Sequence, residues 1–270
     1  MSQEGTFVRS PMTEPLIAIH AMVYKFQKRA WWQMSSLAQQ EPLGDAGVPA
    51  FRYCISTHTQ DPHAQDLQRR SALLPYAVSS NFWNSDSFGE RGHIRTSNLL
   101  NETAEFILFV DADMVYHKHF MAKLGLAAEK HRGQHKVLAA PRQSMSFEDG
   151  YALVDAADYS QVIPTTWDTA KTKKTWWSAH GRISGAGFFQ LVHLPSLREY
   201  LQKTYGEVCY VGKGYHRDTN LLTRGGYLTP SDRNFRLNAG GIIAAPELGD
   251  ALHINHWRHN DPLWSSVQPH

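Results

Sequence analysis

A chain of 270 residues is long enough to bury a substantial core, as one large α/β domain or two small ones. Its 42% hydrophobic and 19% charged residues are ordinary for a globular protein, and a formal net charge of +2 gives no strong electrostatic case for a polyanion partner. Two cysteines, Cys54 and Cys209, exclude a disulfide-rich scaffold and point to a reducing compartment, while fifteen histidines would add positive charge below neutral pH.

Residues 1–14 read as a loose leader with no apolar run fit for a signal peptide. No stretch of about 18 apolar residues follows, so a soluble cytoplasmic protein without stable membrane insertion is expected. PLIAIHAMVY (15–24) predicts a buried strand, and KRAWWQMSSLAQQ (28–40) a helix whose Trp31 and Trp32 serve packing. FRYCIST (51–57) predicts a second strand, with loop chemistry behind it in HTQDPHAQD. RRSALLPYAVSS (69–80) carries a third apolar run broken by Pro75. RGHIRTSNLLNET (91–103) has a helical pattern and leads into the strand FILFV, and HKVLAAPRQ (135–143) predicts another strand. Strands alternating with helical segments favour a mostly parallel sheet flanked by helices, in one domain over residues 15–270.

Residues 144–182 are different. They are polar, bear tryptophans and lack a period, which predicts a mobile loop over a site. Trp176 and Trp177 are candidates for stacking on a ligand, or equally for an oligomer contact, and Lys171, Lys173 and Lys174 read as a solvated face or a phosphate contact. ISGAGFFQLVHLPSLREYLQ returns to regular structure. HRDTNLLTRGG reads as a short helix stopped by Gly225-Gly226, part of a C-terminal lobe over 183–270.

The most pointed feature is FILFVDAD. A buried strand that ends on Asp111 and Asp113 needs something opposite their charge, and residues two apart on a strand point the same way. In open α/β sheets ligands bind beyond the carboxyl ends of the strands. A hard divalent cation, Mn²⁺ or Mg²⁺, is the natural counter-charge because it takes oxygen ligands and bridges to phosphates. The plainer alternative makes one Asp a helix cap and leaves the other solvated.

In this stretch the sequence resembles the GT-A fold glycosyltransferases, whose Asp-x-Asp motif follows a hydrophobic strand and holds a nucleotide-sugar through a divalent metal. The resemblance runs in order from about residue 15 to 260 and is similar to inverting family 2 and β-1,4-galactosyltransferase-like enzymes. It implies a single GT-A domain, with a nucleotide-sugar-binding half (15–143) and an acceptor-side lobe. It implies that Arg95 and Asn98, in the stretch before the acidic motif, fall near the donor together with Asp111. It implies that Gly185 and Gly187 let the backbone approach the sugar closely, and that Trp177 closes over the donor. GKGYHRDTNLLTRGG is similar to the family's acceptor-side motif, which makes Asp218 the general base, with His216 as a second candidate. The family's Glu falls on Arg217, a departure on the acceptor side. INHWRHN is similar to the segment that completes the metal site, making His256 a ligand with Asp111 and Asp113, and His253 the runner-up.

The implied activity is metal-dependent, inverting transfer of a hexose or pentose from a nucleotide-sugar, with UDP as the default nucleotide. The acceptor is a hydroxyl on a bacterial-type glycan or on a hydroxymethylated base in phage DNA. Two other classes compete: a nucleotidyltransferase acting on sugar phosphates, and a non-enzymatic carbohydrate-binding protein. The first lacks its Gly-rich loop after the first strand, since HAMVYKFQKR has no glycine. The second needs neither paired carboxylates nor a base.

Overall fold

The computed structural model describes residues 15–23, 27–59, 61, 64–83, 98–99, 101–140, 142–144, 173–175, 189–205, 239–248 and 251–254. In chain order the elements are β1 (Ile17–Val23), α1 (Gln27–Ala38), β2 (Phe51–His58), α2 (Ala64–Ser71) and β3 (Ala77–Trp83). After a helical turn at Asn98–Leu99 come β4 (Phe106–Asp111), β5 (Met114–Tyr116) and α3 (Phe120–Lys130). Then follow β6 (Val137–Ala139), β7 (Arg142–Ser144), β8 (Lys173–Thr175), β9 (Phe189–His193) and α4 (Leu194–Tyr205). A short strand β10 (Ile242–Ala244), a 3₁₀ turn (Pro246–Leu248) and β11 (Ala251–His253) complete them.

Among the described residues seven strands form the main sheet, in the order β10-β6-β9-β4-β1-β2-β3. β1 pairs in parallel with both β2 and β4, so the chain winds outward from β1 in two directions. That reversal creates a crevice beyond the carboxyl ends of β1 and β4, where α/β sheets bind ligands. The mostly parallel α/β class expected from the sequence is what the chain adopts. β9 departs from it, lying antiparallel to both β4 and β6.

Strand alternation sorts the side chains. Ile17, Ile19, Ala21 and Val23 of β1 share one face with Tyr53 and Ile55 of β2 and with Phe106, Leu108 and Val110 of β4. Ala30, Met34 and Leu37 recur along α1 at helical spacing and close this face, together with Phe120, Met121, Leu124, Ala127 and Ala128 of α3. Each fully buried large aliphatic or aromatic side chain here contributes roughly 1.5–3 kcal/mol. Trp32 is completely buried and Trp31 packs partly buried against the same core, in keeping with their expected packing role. On the opposite face Ile107, Phe109 and Val192 pack against Leu99 and against Leu194, Leu197 and Leu201 of α4.

Three local expectations change. Where loop chemistry was read behind β2, a helix begins at Ala64; it is amphipathic enough to bury Leu67 while Asp66 pairs with Arg70 at 2.8 Å. The single strand expected over 135–143 is two strands, because β6 stays in the main sheet and β7 leaves for a second one. That second sheet, ordered β5-β11-β7-β8, contains Lys173–Thr175, so the segment read as irregular carries at least one strand. Among the described residues no helix is long and apolar enough to cross a membrane.

Candidate functional site

Asp111 is the last residue of β4, in register with Met22 of β1, and its side chain is exposed at the mouth of the crevice. Ala112 and Asp113 form the turn into β5, so strand alternation stops before Asp113. The second sheet positions it instead. β11 pairs antiparallel with β5, His253 opposite Met114, and the amide of Ile254 donates to the Asp113 carbonyl at 2.8 Å. This brings His253 Nε2 to 3.3 Å from Asp113 Oδ2, with both side chains about nine-tenths buried.

The end of β4 is fixed from below by α1. Gln33, completely buried, donates from Nε2 to the Asp111 carbonyl at 2.6 Å and reaches the Tyr116 hydroxyl at 3.3 Å. Its Oε1 accepts from the Tyr53 hydroxyl. Tyr116 is held protonated: burial raises its pKa most, and the charges of Tyr53, Asp111 and Asp113 push it further. The two carboxylates therefore act on one buried phenol from the same end of the sheet. Gln33 belongs to no motif. Its signal is a polar residue beside the core positions Met34 and Leu37 of α1, a trait it shares with the buried Ser36.

Asn98 is buried over the other sheet face, where it accepts from Asn81 Nδ2 at 3.4 Å and donates to Ser56 Oγ at 3.5 Å. His20, Ala21, Met22, Ser56, Asn98, Phe109 and Val110 line a small cleft open to solvent, at the carboxyl half of β1, β2 and β4. Asn98 and Asp111 are thus drawn to one end of the sheet, since Asp111 stands in register with Met22 of the cleft wall. Arg95, Trp177, Gly185, Gly187, Asp218 and His256 lie outside the described residues, as do His216, Arg217, Lys171 and Trp176.

No protein-family model matches the sequence, and no curated protein matches it. Solved structures do. The mannosyltransferase PcManGT from Pyrobaculum calidifontis, in complex with GDP-Man and Mn²⁺, aligns over 97% of this chain and 63% of its own, at 12% identity and a TM-score of 0.50. S. aureus TarS 1-349 aligns over 88% of this chain and 60% of its own, at 16% identity and a TM-score of 0.49. The same protein in complex with UDP-GlcNAc aligns over 92% and 60%, at 15% identity and a TM-score of 0.49. The chain spans about three fifths of the length of these structures. Its fold, over nearly all its length, is similar to that of the mannosyltransferase.

Proposed function

We propose that this chain is a metal-dependent, inverting glycosyltransferase that moves a sugar from a nucleotide-sugar to a hydroxyl acceptor. The observation that carries the reading is the pair Asp111 and Asp113 at the carboxyl end of β4, beside the point where the sheet reverses, with His253 3.3 Å from Asp113. Carboxylate and imidazole are fitting donor types for Mn²⁺; Asp113 and His253 are in contact, while the ligand atoms of Asp111, Asp113 and His253 do not all lie within 4.8 Å of one another in this structure. The contact with Asp113 favours His253 over His256 as the imidazole. The likeness to a fold whose mannosyltransferase holds GDP-Man and Mn²⁺ supports the reading.

When bound, the cation offsets charge on the departing diphosphate. Asp111 and Asp113 would hold it at the crevice mouth, and the cleft lined by His20, Met22, Ser56 and Asn98 would face the donor. Arg95, Gly185, Gly187 and Trp177 complete the donor contacts in this reading. Asp218 accepts the proton of the acceptor hydroxyl as that oxygen bonds to the anomeric carbon and the nucleoside diphosphate leaves from the opposite side. A UDP-sugar is the first donor to test. The acceptor is a glycan or a hydroxymethylated DNA base.

A panel of UDP- and GDP-sugars, incubated with and without Mn²⁺, tests the reading, followed by glycan and modified-DNA acceptors. Mn²⁺-dependent release of nucleoside diphosphate is expected. Pyrophosphate release would identify a nucleotidyltransferase, and binding without any release a carbohydrate-binding protein.

A further inference from the structure

Beneath the cleft, the sheet face that carries His20 is unusually polar. His20 of β1, Cys54 of β2 and Ser79 of β3 stand in one row across the strands, with Phe109 of β4 on the other side of His20. Glu102, in the turn before β4, covers this row. One ligand atom each of His20, Cys54 and Glu102 lies within 4.8 Å of the other two, and all three side chains are buried. It is the only such group of His, Cys, Asp or Glu among the described residues.

We propose that His20, Cys54 and Glu102 form a second metal site, distinct from the Asp111–Asp113 site and suited to zinc. A thiolate sulfur, an imidazole nitrogen and a carboxylate oxygen select a borderline-soft divalent ion rather than Mg²⁺. The carboxylate is already oriented for such a role. Its Oε1 accepts from the amides of Thr103 at 2.7 Å and Ala104 at 2.9 Å and from Arg52, which turns Oε2 toward His20 Nε2 at 2.8 Å. Outer partners of this kind fix ligating carboxylates. His20 meets Glu102 through Nε2, and its Nδ1 is buried with no hydrogen-bond partner among the described residues.

His20 also lines the cleft beside Ser56 and Asn98, from which a water would supply a further ligand. The site would clamp β1, β2 and the turn carrying Asn98 together at the floor of the cleft. It stands on these residues alone and does not depend on the proposed transferase activity.

The test is a Co²⁺ titration of metal-free protein in the Asp113→Ala background, which removes the competing carboxylate site. The expected result is a thiolate-to-cobalt charge-transfer band saturating at about one equivalent. Zinc should bleach it, Cys54→Ala should lose it and Cys209→Ala should keep it. Native protein purified without chelator should carry zinc, and chelation should lower its Tm. Absence of the band in the otherwise intact chain overturns the proposal, whatever the Cys54 variant does. A band that depends on Cys209 instead of Cys54 overturns it equally.

Discussion

His253 Nε2 lies 3.3 Å from Asp113 Oδ2, a contact made only because β11 pairs with β5 in a sheet separate from the main one. The partners are far apart in the chain and share no secondary element. What joins them is the register His253–Met114, which lays the imidazole beside the turn that leaves β4.

Asp113→Ala is therefore expected to abolish Mn²⁺-dependent binding of a nucleotide-sugar while leaving the circular-dichroism spectrum unchanged. His253→Ala should weaken the same binding less, since water can replace a neutral ligand. Calorimetry with and without Mn²⁺ measures both. Unchanged metal-dependent affinity in Asp113→Ala would remove this pair from the metal site.

Gln33→Leu should cost stability out of proportion to its volume change. The substitution leaves the Asp111 carbonyl and the hydroxyls of Tyr53 and Tyr116 without the amide that now bridges them. Each buried polar group left unsatisfied costs about 1–3 kcal/mol, so a loss of about 2 kcal/mol or more is expected in urea unfolding. Donor affinity should fall as well, because the end of β4 is no longer held. A loss below about 0.5 kcal/mol would mean that these bonds are replaced by water.

Acid stability of the metal-free protein should report on Glu102. Burial would raise its carboxyl, but the His20 hydrogen bond, the Ala104 amide and the charges of His20 and Arg52 outweigh that and hold it at about 2 against an ordinary 4.5. A depressed carboxyl stabilises the fold fully above 4.5, and that stability is lost as the pH falls toward about 2. His20 faces it with a raised pKa: burial opposes the charge, but Cys54 and Glu102 favour it. That contribution is complete below 6.5 and is lost as pH climbs through the raised value, so the two groups act in separate windows. Glu102→Gln should be less stable than the parent at pH 6, with the difference shrinking toward pH 2 as Glu102 protonates. Equal acid slopes for the two proteins would show that Glu102 does not set this limb.

Asp218→Asn keeps size and helix-capping ability but cannot accept the acceptor's proton. The transfer rate should fall about 10²–10⁴-fold with donor affinity nearly unchanged. A helix cap predicts the opposite pattern, a stability loss of about 1 kcal/mol or less with near-normal turnover. The anomeric configuration of the product, read by NMR, is an independent check: retention would exclude a base facing the leaving group.

The strands that set up the sheet are legible along the chain. PLIAIHAMV and FILFV are apolar runs, and burial on both faces leaves such segments only one environment; FRYCIST reads as a strand despite Arg52, Ser56 and Thr57. The sequence also placed carboxylates at the end of β4, because charge can stop a buried strand only where the sheet meets solvent or a counter-ion. What it could not determine depends on partners distant in the chain. The antiparallel course of β9 follows from its pairing with β4 and β6, a choice its own apolar residues do not encode. The position of Asp113 comes from β11 rather than from the alternation of β4, since the strand ends at Asp111. His20, Cys54 and Glu102 were three unremarkable residues until parallel register set His20 beside Cys54 and the turn before β4 laid Glu102 across them. Local propensity reads neighbours along the chain; a site of this kind is made by neighbours across the sheet, which only tertiary structure supplies.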